Sequence, residues 1–212
     1  YRLGKSEFSV ECNVNAGENV SKVLSVSLGS TLSSCETLNG VINYSGLIDT
    51  KIVFLAEDGR LNTVCLSCPF SSKFESEAIE NGQNAFVMLK VIDYNIESIN
   101  GDNIKLLVSV EQSGFVVASK EVRTIHSGDD DICQKNDEIT VVKFIGTASE
   151  NIEVASEINV RDKINKILLS ESSVIVKSIE SGVNFVTISG EVSTKVIYIN
   201  DSDRFESGYV YD

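Results

Sequence analysis

One pattern is written twice in this chain, and that repetition constrains the fold more than any other feature. Residues 46–60 (GLIDTKIVFLAEDGR) recur as residues 190–204 (GEVSTKVIYINDSDR), offset by 190 − 46 = 144 positions without a gap. Gly46, Thr50, Lys51 and Arg60 return as Gly190, Thr194, Lys195 and Arg204. Ile48, Thr50, Ile52 and Phe54 alternate along one face of a strand, and Val192, Thr194, Val196 and Tyr198 repeat that face. Upstream, Lys22, Leu24, Ser34 and Glu36 pair at the same offset with Lys166, Leu168, Ser178 and Glu180. The alternation of Phe8, Val10, Cys12 and Val14 pairs with Ile152, Val154, Ser156 and Ile158. A one-residue slip would turn every side chain to the wrong face, so a shared register over several strands points to a duplicated β unit.

The pattern predicts an all-β protein of two related sandwich-like units with at most short helices. Residues 1–125 form the first unit, residues 126–138 an acidic linker or loop, and residues 139–212 the second. Val, Ile, Ser and Thr are abundant, Trp is absent and proline occurs once, at Pro69, a composition suited to half-buried strands. Residues 19–28 and 162–169 are ambiguous. Val20, Val23 and Leu24, like Ile164, Ile167 and Leu168, fit one helical face, with Asp162 as the N-cap, so one short helix or turn is expected in each unit. Residues 38–45 and 47–56 read as two strands meeting at a bulge or bend at Ser45-Gly46. The doubly apolar ends Val53-Phe54-Leu55 and Ile197-Tyr198-Ile199 call for burial on both faces.

Residues 60–68 and 72–77 continue the sheet as an edge around Pro69. Residues 84–97 and 103–112 form a hairpin with Asn100-Gly101 between them, and a further strand is expected over about 114–124. The second unit runs from near Ile139, but residues 69–124 have no counterpart, since these would begin at 69 + 144 = 213. A unit without its closing hairpin exposes a sheet edge and an apolar face, met either by a continuing chain or by strands from a neighbouring molecule.

The formal net charge of −13 argues against nucleic acid, because nothing here neutralises a run of phosphates, and against an anionic membrane surface. No run reaches the roughly 18 apolar residues of a membrane-spanning helix, and no signal peptide is visible, although the chain begins at Tyr1 and is expected to be processed or part of something longer. Five cysteines, Cys12, Cys35, Cys65, Cys68 and Cys133, allow two disulfides and one residue for cross-linking, or five reduced thiols. Cys65 and Cys68 have metal or redox spacing, but no second pair accompanies them and the segment reads as strand rather than a strand-to-helix turn. Asp129, Asp130 and Asp131 lack the ligand spacing of a calcium loop. His126 beside Ser127 has no nucleophile elbow, and no phosphate-binding glycine loop is present. Glu57 and Asp58 are explained as turn residues. Residue chemistry thus supports no catalytic constellation, no cofactor and no metal.

The Gly-led strand from Gly46 to Phe54, the acidic turn Glu57-Asp58-Gly59 and the segment Pro69-Phe70-Ser71 together resemble the SipL-type domain of unknown function found in clostridial spore-coat and spore-envelope proteins. The resemblance covers most of residues 8–124 and the first part of the same unit in 139–212. It implies a non-enzymatic structural role in the coat, exosporium or a surface appendage of a spore, with other envelope proteins as partners. The duplication, the open second unit and the odd cysteine agree with a homo-oligomer or fibre assembled through β-strands and disulfides. The competing expectation is an adhesin- or scaffold-type module that presents loops to another protein or a glycan.

Overall fold

The structure, a computed structural model, describes residues 1–118, 145–146, 152–157, 159–160, 163–202 and 204–211. The fold is all-β: among the described residues there is no helix, and nine strands form three antiparallel three-stranded sheets. The strands are β1 (Arg2–Asn15), β2 (Val20–Leu38), β3 (Val41–Ala56), β4 (Leu61–Glu75), β5 (Asn84–Asn100), β6 (Asn103–Val117), β7 (Ile164–Ser181), β8 (Val186–Asn200) and β9 (Phe205–Tyr211).

The first two sheets, ordered β1-β6-β5 and β2-β3-β4, stack face to face. Alternation drives this. Along β3 the even residues Ile42, Tyr44, Ile48, Thr50, Ile52, Phe54 and Ala56 are buried, and along β6 so are Ile104, Leu106, Val108 and Val110. The apolar ones among them, with Val10, Cys12 and Val14 of β1 and Cys68, Phe70 and Phe74 of β4, make one core. Each fully buried aliphatic or aromatic side chain contributes on the order of 1.5–3 kcal/mol. The rings of Phe8 and Phe70 lie 5.4 Å apart, so β1 stacks on β4. At the other side of the sandwich β2 meets β5, where Ser30 Oγ donates to Leu89 O at 3.5 Å. A second polar side chain also bridges the sheets. Gln112 of β6 donates through Nε2 to Ser6 Oγ and to Lys73 O of β4, and its Oε1 accepts from Ser72 Oγ, so this buried amide is satisfied.

The third sheet, β7-β8-β9, repeats the hydrogen-bond register of β2-β3-β4. Val20 faces Ala56 and Ile164 faces Asn200; the spacing of 144 holds along the whole ladder. Register shifts interrupt β2 at Val20/Lys22, Val23/Ser25 and Leu32/Ser34. Those in β7 fall at Ile164/Lys166, Ile167/Leu169 and Val176/Ser178, again 144 residues on. Even the hairpin turns agree. Ala56 N donates to Arg60 O, and Glu57 N to Asn19 O; Asn200 N donates to Arg204 O, and Asp201 N to Lys163 O.

Several expectations are corrected by these ladders. Residues 20–28 and 164–169 are bulged strand, not helix. Two bulges within six residues add a residue each time, so in-facing positions fall at Val20, Val23 and Val26 and imitate helical spacing. The strand through Ser45-Gly46 is continuous, and the bulge lies opposite, in β2 at Leu32/Ser34. The β5–β6 turn is centred on Gly101 (φ 60°) and Asp102, because Asn100 still pairs with Asn103. Gly114 sits inside β6 rather than ahead of a new strand. Residues 152–157, expected to mirror β1, form no strand. In the first unit β1 pairs with β6, whose counterpart would begin at 103 + 144 = 247, outside this sequence. Pro69 does lie on an edge strand, β4. The acidic segment 126–138, with Asp129, Asp130, Asp131 and His126, lies outside the described residues, as do Cys133, Asp162 and the expected start at Ile139.

Candidate functional site

The two related sheets differ most in what covers them. Cross-strand partners share a face, so in the third sheet Val174, Val176 and Ile179 of β7 lie beside Val192, Gly190 and Ile188 of β8, with Val186 next in line. This is the face that β2-β3-β4 turns toward its core. In the first unit Ile42 and Tyr44 are 0% and 3% exposed; their equivalents Val186 and Ile188 are 62% and 64% exposed. Val174, Val176 and Ile179 are also more than half exposed. The opposite face carries the charges of this stretch: Lys177 pairs with Glu191, and Glu171 stands opposite Lys195. The bare apolar face therefore has no charged residue at its register positions on β7 and β8 between Ser172 and Thr194. At the other end, toward the hairpin at residues 200–204, Val196, Tyr198 and Asn200 are buried. There Asn200 Oδ1 accepts from Ser202 N and Arg204 N and holds the turn.

The doubly apolar strand ends account for the join between the units. Val53, on the outer face of β3, packs with Leu168 and Leu169 of β7, flanked by Leu61, Ile197 and Ile199. Hydrogen bonds surround this contact. Thr63 Oγ1 donates to Leu168 O at 2.7 Å, Lys51 Nζ to Ser170 O at 3.2 Å, and Lys166 Nζ to Leu61 O at 3.1 Å. Beside it an open cleft of about 690 Å³ is lined by Asp49, Lys51, Cys65, Ser67, Ser170 and Glu171 among others. Among the described residues no group of three or more His, Cys, Asp or Glu side chains is placed to hold a metal ion.

The repeated residues do different work in the two units. Gly46 admits a close approach: a Cβ there would lie 2.3 Å from Thr31 O and 2.8 Å from the Phe70 ring. Gly190 meets the equivalent carbonyl, Ile175 O, at 2.7 Å. Thr50 is buried, and its Oγ1 has no hydrogen-bond partner closer than the Cys12 thiol beside it. Thr194 instead shares a 2.9 Å hydrogen bond with Ser172 Oγ. Arg60 closes the β3–β4 turn by pairing with Asp58 at 2.6 Å and Glu18 at 3.0 Å. Hydrogen bonds from the Arg60 backbone and guanidinium hold the Asp58 carboxyl below its ordinary pKa. Arg204 occupies the matching place after β8, its backbone N–H held by Asn200.

The cysteines separate into inner and outer sets. In β4, Cys65 points outward opposite Lys51 and is exposed, whereas Cys68 points into the core. Three residues apart on a strand, they face opposite sides and do not converge on one ligand. Cys35 is exposed beside Tyr44 on the β2–β3 ladder. Cys12 and Cys68 are both buried in the core of the first unit, one on each sheet. Burial above all, and then the neighbouring Cys68 thiol, pushes the Cys12 pKa up to about 12. All four described cysteines are free thiols, and their inner–outer sorting was not apparent from spacing alone.

No family model matches the chain, and neither the curated proteins nor the solved structures contain a match. Among the described residues no helix is long and apolar enough to cross a membrane, which leaves β-barrels aside.

Proposed function

We propose that this is a non-enzymatic structural protein of a bacterial spore envelope or surface, arisen by internal duplication, that self-assembles through its second β unit. One observation carries the assembly: aliphatic positions on β7 and β8 are bare where their equivalents in the first unit are buried. The occupant is the same face of a second copy. A chain of net charge −13 repels its own kind, and this uncharged aliphatic surface is where two copies approach with least electrostatic cost. Face-to-face stacking of two such sheets, about 10 Å apart, rebuilds the sandwich that the first unit already has. Placement in a coat, exosporium or appendage rests on the resemblance borne by the β3 strand, its acidic turn and Pro69-Phe70-Ser71, as does pairing with other envelope proteins.

The test compares the full chain with Ile188→Lys by sedimentation velocity and negative-stain electron microscopy across a concentration series. Ile188 is largely exposed, so the lysine leaves the fold intact and places a charge in the contact. Concentration-dependent oligomers or fibres in the wild type, lost in the variant, are expected. A wild type that stays monomeric throughout refutes assembly and favours the adhesin- or scaffold-type module.

A further inference from the structure

We propose that the Val186–Val192 edge of β8 is a binding site for an extended peptide strand, one with an aromatic side chain opposite Gly190 and no charge at its inward positions. The two related ladders differ in length. β4 pairs with β3 along its whole course, from Val41↔Glu75 to Leu55↔Leu61. Its counterpart β9 pairs with β8 only from Ser193↔Tyr211 to Ile199↔Phe205. Val186–Val192 therefore have β7 on one side and, among the described residues, no strand on the other. In an antiparallel sheet alternate backbone N–H and C=O groups point to each side. This stretch thus presents a row of unpaired groups, the template for strand addition.

Two further observations point to a ligand. The first is the glycine. On β3, Gly46 faces Phe70 of β4, and a Cβ on Gly46 would stand 2.8 Å from that ring. Gly190 holds the equivalent place on β8 and is exposed; the three atoms nearest a Cβ there are backbone atoms of Ile175 and Val176. The seat for a ring is kept, and among the described residues no ring occupies it. The second is an unguarded edge. Exposed edges are normally blunted by proline or lysine, and β4, an edge of the first unit, carries Pro69 and Lys73. Residues 186–192 read Val-Thr-Ile-Ser-Gly-Glu-Val, with neither, and Glu191 is paired with Lys177.

The first unit supplies the template for the occupant. Opposite Ile42, Tyr44, Gly46 and Ile48 of β3 stand Phe74, Ser72, Phe70 and Cys68 of β4. The matching residues of β8 are Val186, Ile188, Gly190 and Val192. The partner is a segment of another protein that runs antiparallel to β8, as β4 does to β3, and whose inward side chains widen the bare apolar face. A charge there would be set against Ile188 without a partner. Beside a chain of net charge −13, the segment is neutral or basic as a whole. A second copy is the poorer occupant, because its own segment of this pattern, residues 68–75, is already paired with β3. The edge is separate from the face on which two copies stack, and it is present whether or not copies assemble.

The probe is a synthetic peptide of residues 68–75 carrying Cys68→Ser, blocked at both ends and labelled with fluorescein. Fluorescence anisotropy follows its titration with the purified full chain, and hydrogen–deuterium exchange of the same samples locates it. Saturable binding and slowed exchange at Val186–Val192, with exchange in the first unit unchanged, are expected. A peptide that also carries Phe70→Asp should lose saturable binding. No saturable binding, equal binding by the Phe70→Asp peptide, or protection elsewhere than Val186–Val192 overturns the proposal. Slow exchange at Val186–Val192 before any peptide is added means that a copy of this chain already holds the edge, and overturns it too. A chain that stays monomeric refutes face-to-face assembly yet still offers this edge, so the two readings fail separately.

Discussion

Thr50 and Thr194 occupy the same position in two related sheets and should answer the same substitution differently. The Thr50 hydroxyl is buried and has no hydrogen-bond partner closer than the Cys12 thiol beside it, so Thr50→Val is expected to be neutral or to raise stability by up to about 1 kcal/mol, since removing a poorly satisfied polar group relieves its desolvation cost. Thr194→Val breaks the bond to Ser172 Oγ and should be neutral or destabilising. Urea unfolding of the two variants checks the contrast. Cys12 sets a pH dependence of its own. Its thiol titrates from an ordinary 9.0 in the unfolded chain and at about 12 in the fold. Below about pH 9 both states keep the proton and stability is full; as pH climbs toward 12 the unfolded state alone releases it, and stability falls. Urea midpoints measured from pH 7.5 to 10.5 should decline for the reduced wild type and decline less for Cys12→Ala.

Among the elements, the glycine that opens each repeat shows how much of the fold was legible and where legibility stopped. Alternation, the acidic turns, the edge proline and the hairpin around Gly101 were all readable, because each depends on near neighbours in sequence. The reason for Gly46 was not. The sequence pattern suggested a bulge at that residue, whereas the extra residue lies across the ladder in β2 and Gly46 makes room for Thr31 O. Gly46→Ala is therefore expected to cost about 1–3 kcal/mol, as overpacking does. Gly190→Ala should cost less, since a Cβ there has 2.7 Å rather than 2.3 Å and meets no ring. Thermal unfolding of the pair measures the difference. The bulges near Val20 and Ile164 likewise defeated periodicity, because each inserted residue resets the alternation that distinguishes strand from helix. The neighbourhood of Cys12 and Cys68 was invisible for a different reason: it arises from the stacking of two sheets, which no local pattern encodes.

For the whole molecule, charge and shape make opposing demands. A net charge of −13 keeps copies apart, while the bare aliphatic face of β7 and β8 favours contact. Added salt screens the first, with a Debye length near 10 Å at 0.1 M falling to about 3 Å at 1 M, and leaves the second largely intact. Self-association is therefore expected to strengthen with sodium chloride, and light scattering across an ionic-strength series checks it. Weakening on addition of salt would mean that ion pairs, not the apolar face, hold the copies together.

The shared register of the two hairpins has a consequence for how the chain reaches its native state. The β1-β6-β5 sheet needs one partner, and the chain offers two ribbons bulged at matching places, Val20–Ala56 and Ile164–Asn200. Backbone shape cannot choose between them. Selection falls to side chains: Ile42 and Tyr44 against Val186 and Ile188, an aromatic lock on one ribbon and aliphatics on the other. During refolding the wrong ribbon is a ready decoy, the kind of misassembly to which repeat proteins are prone. The ring contact of Tyr44 with Phe8 of β1 is the one that reaches across to the other sheet, whereas Phe70 and Phe74 flank Tyr44 within its own, so losing the Tyr44 ring is expected to cost the native pairing its selectivity over the second ribbon.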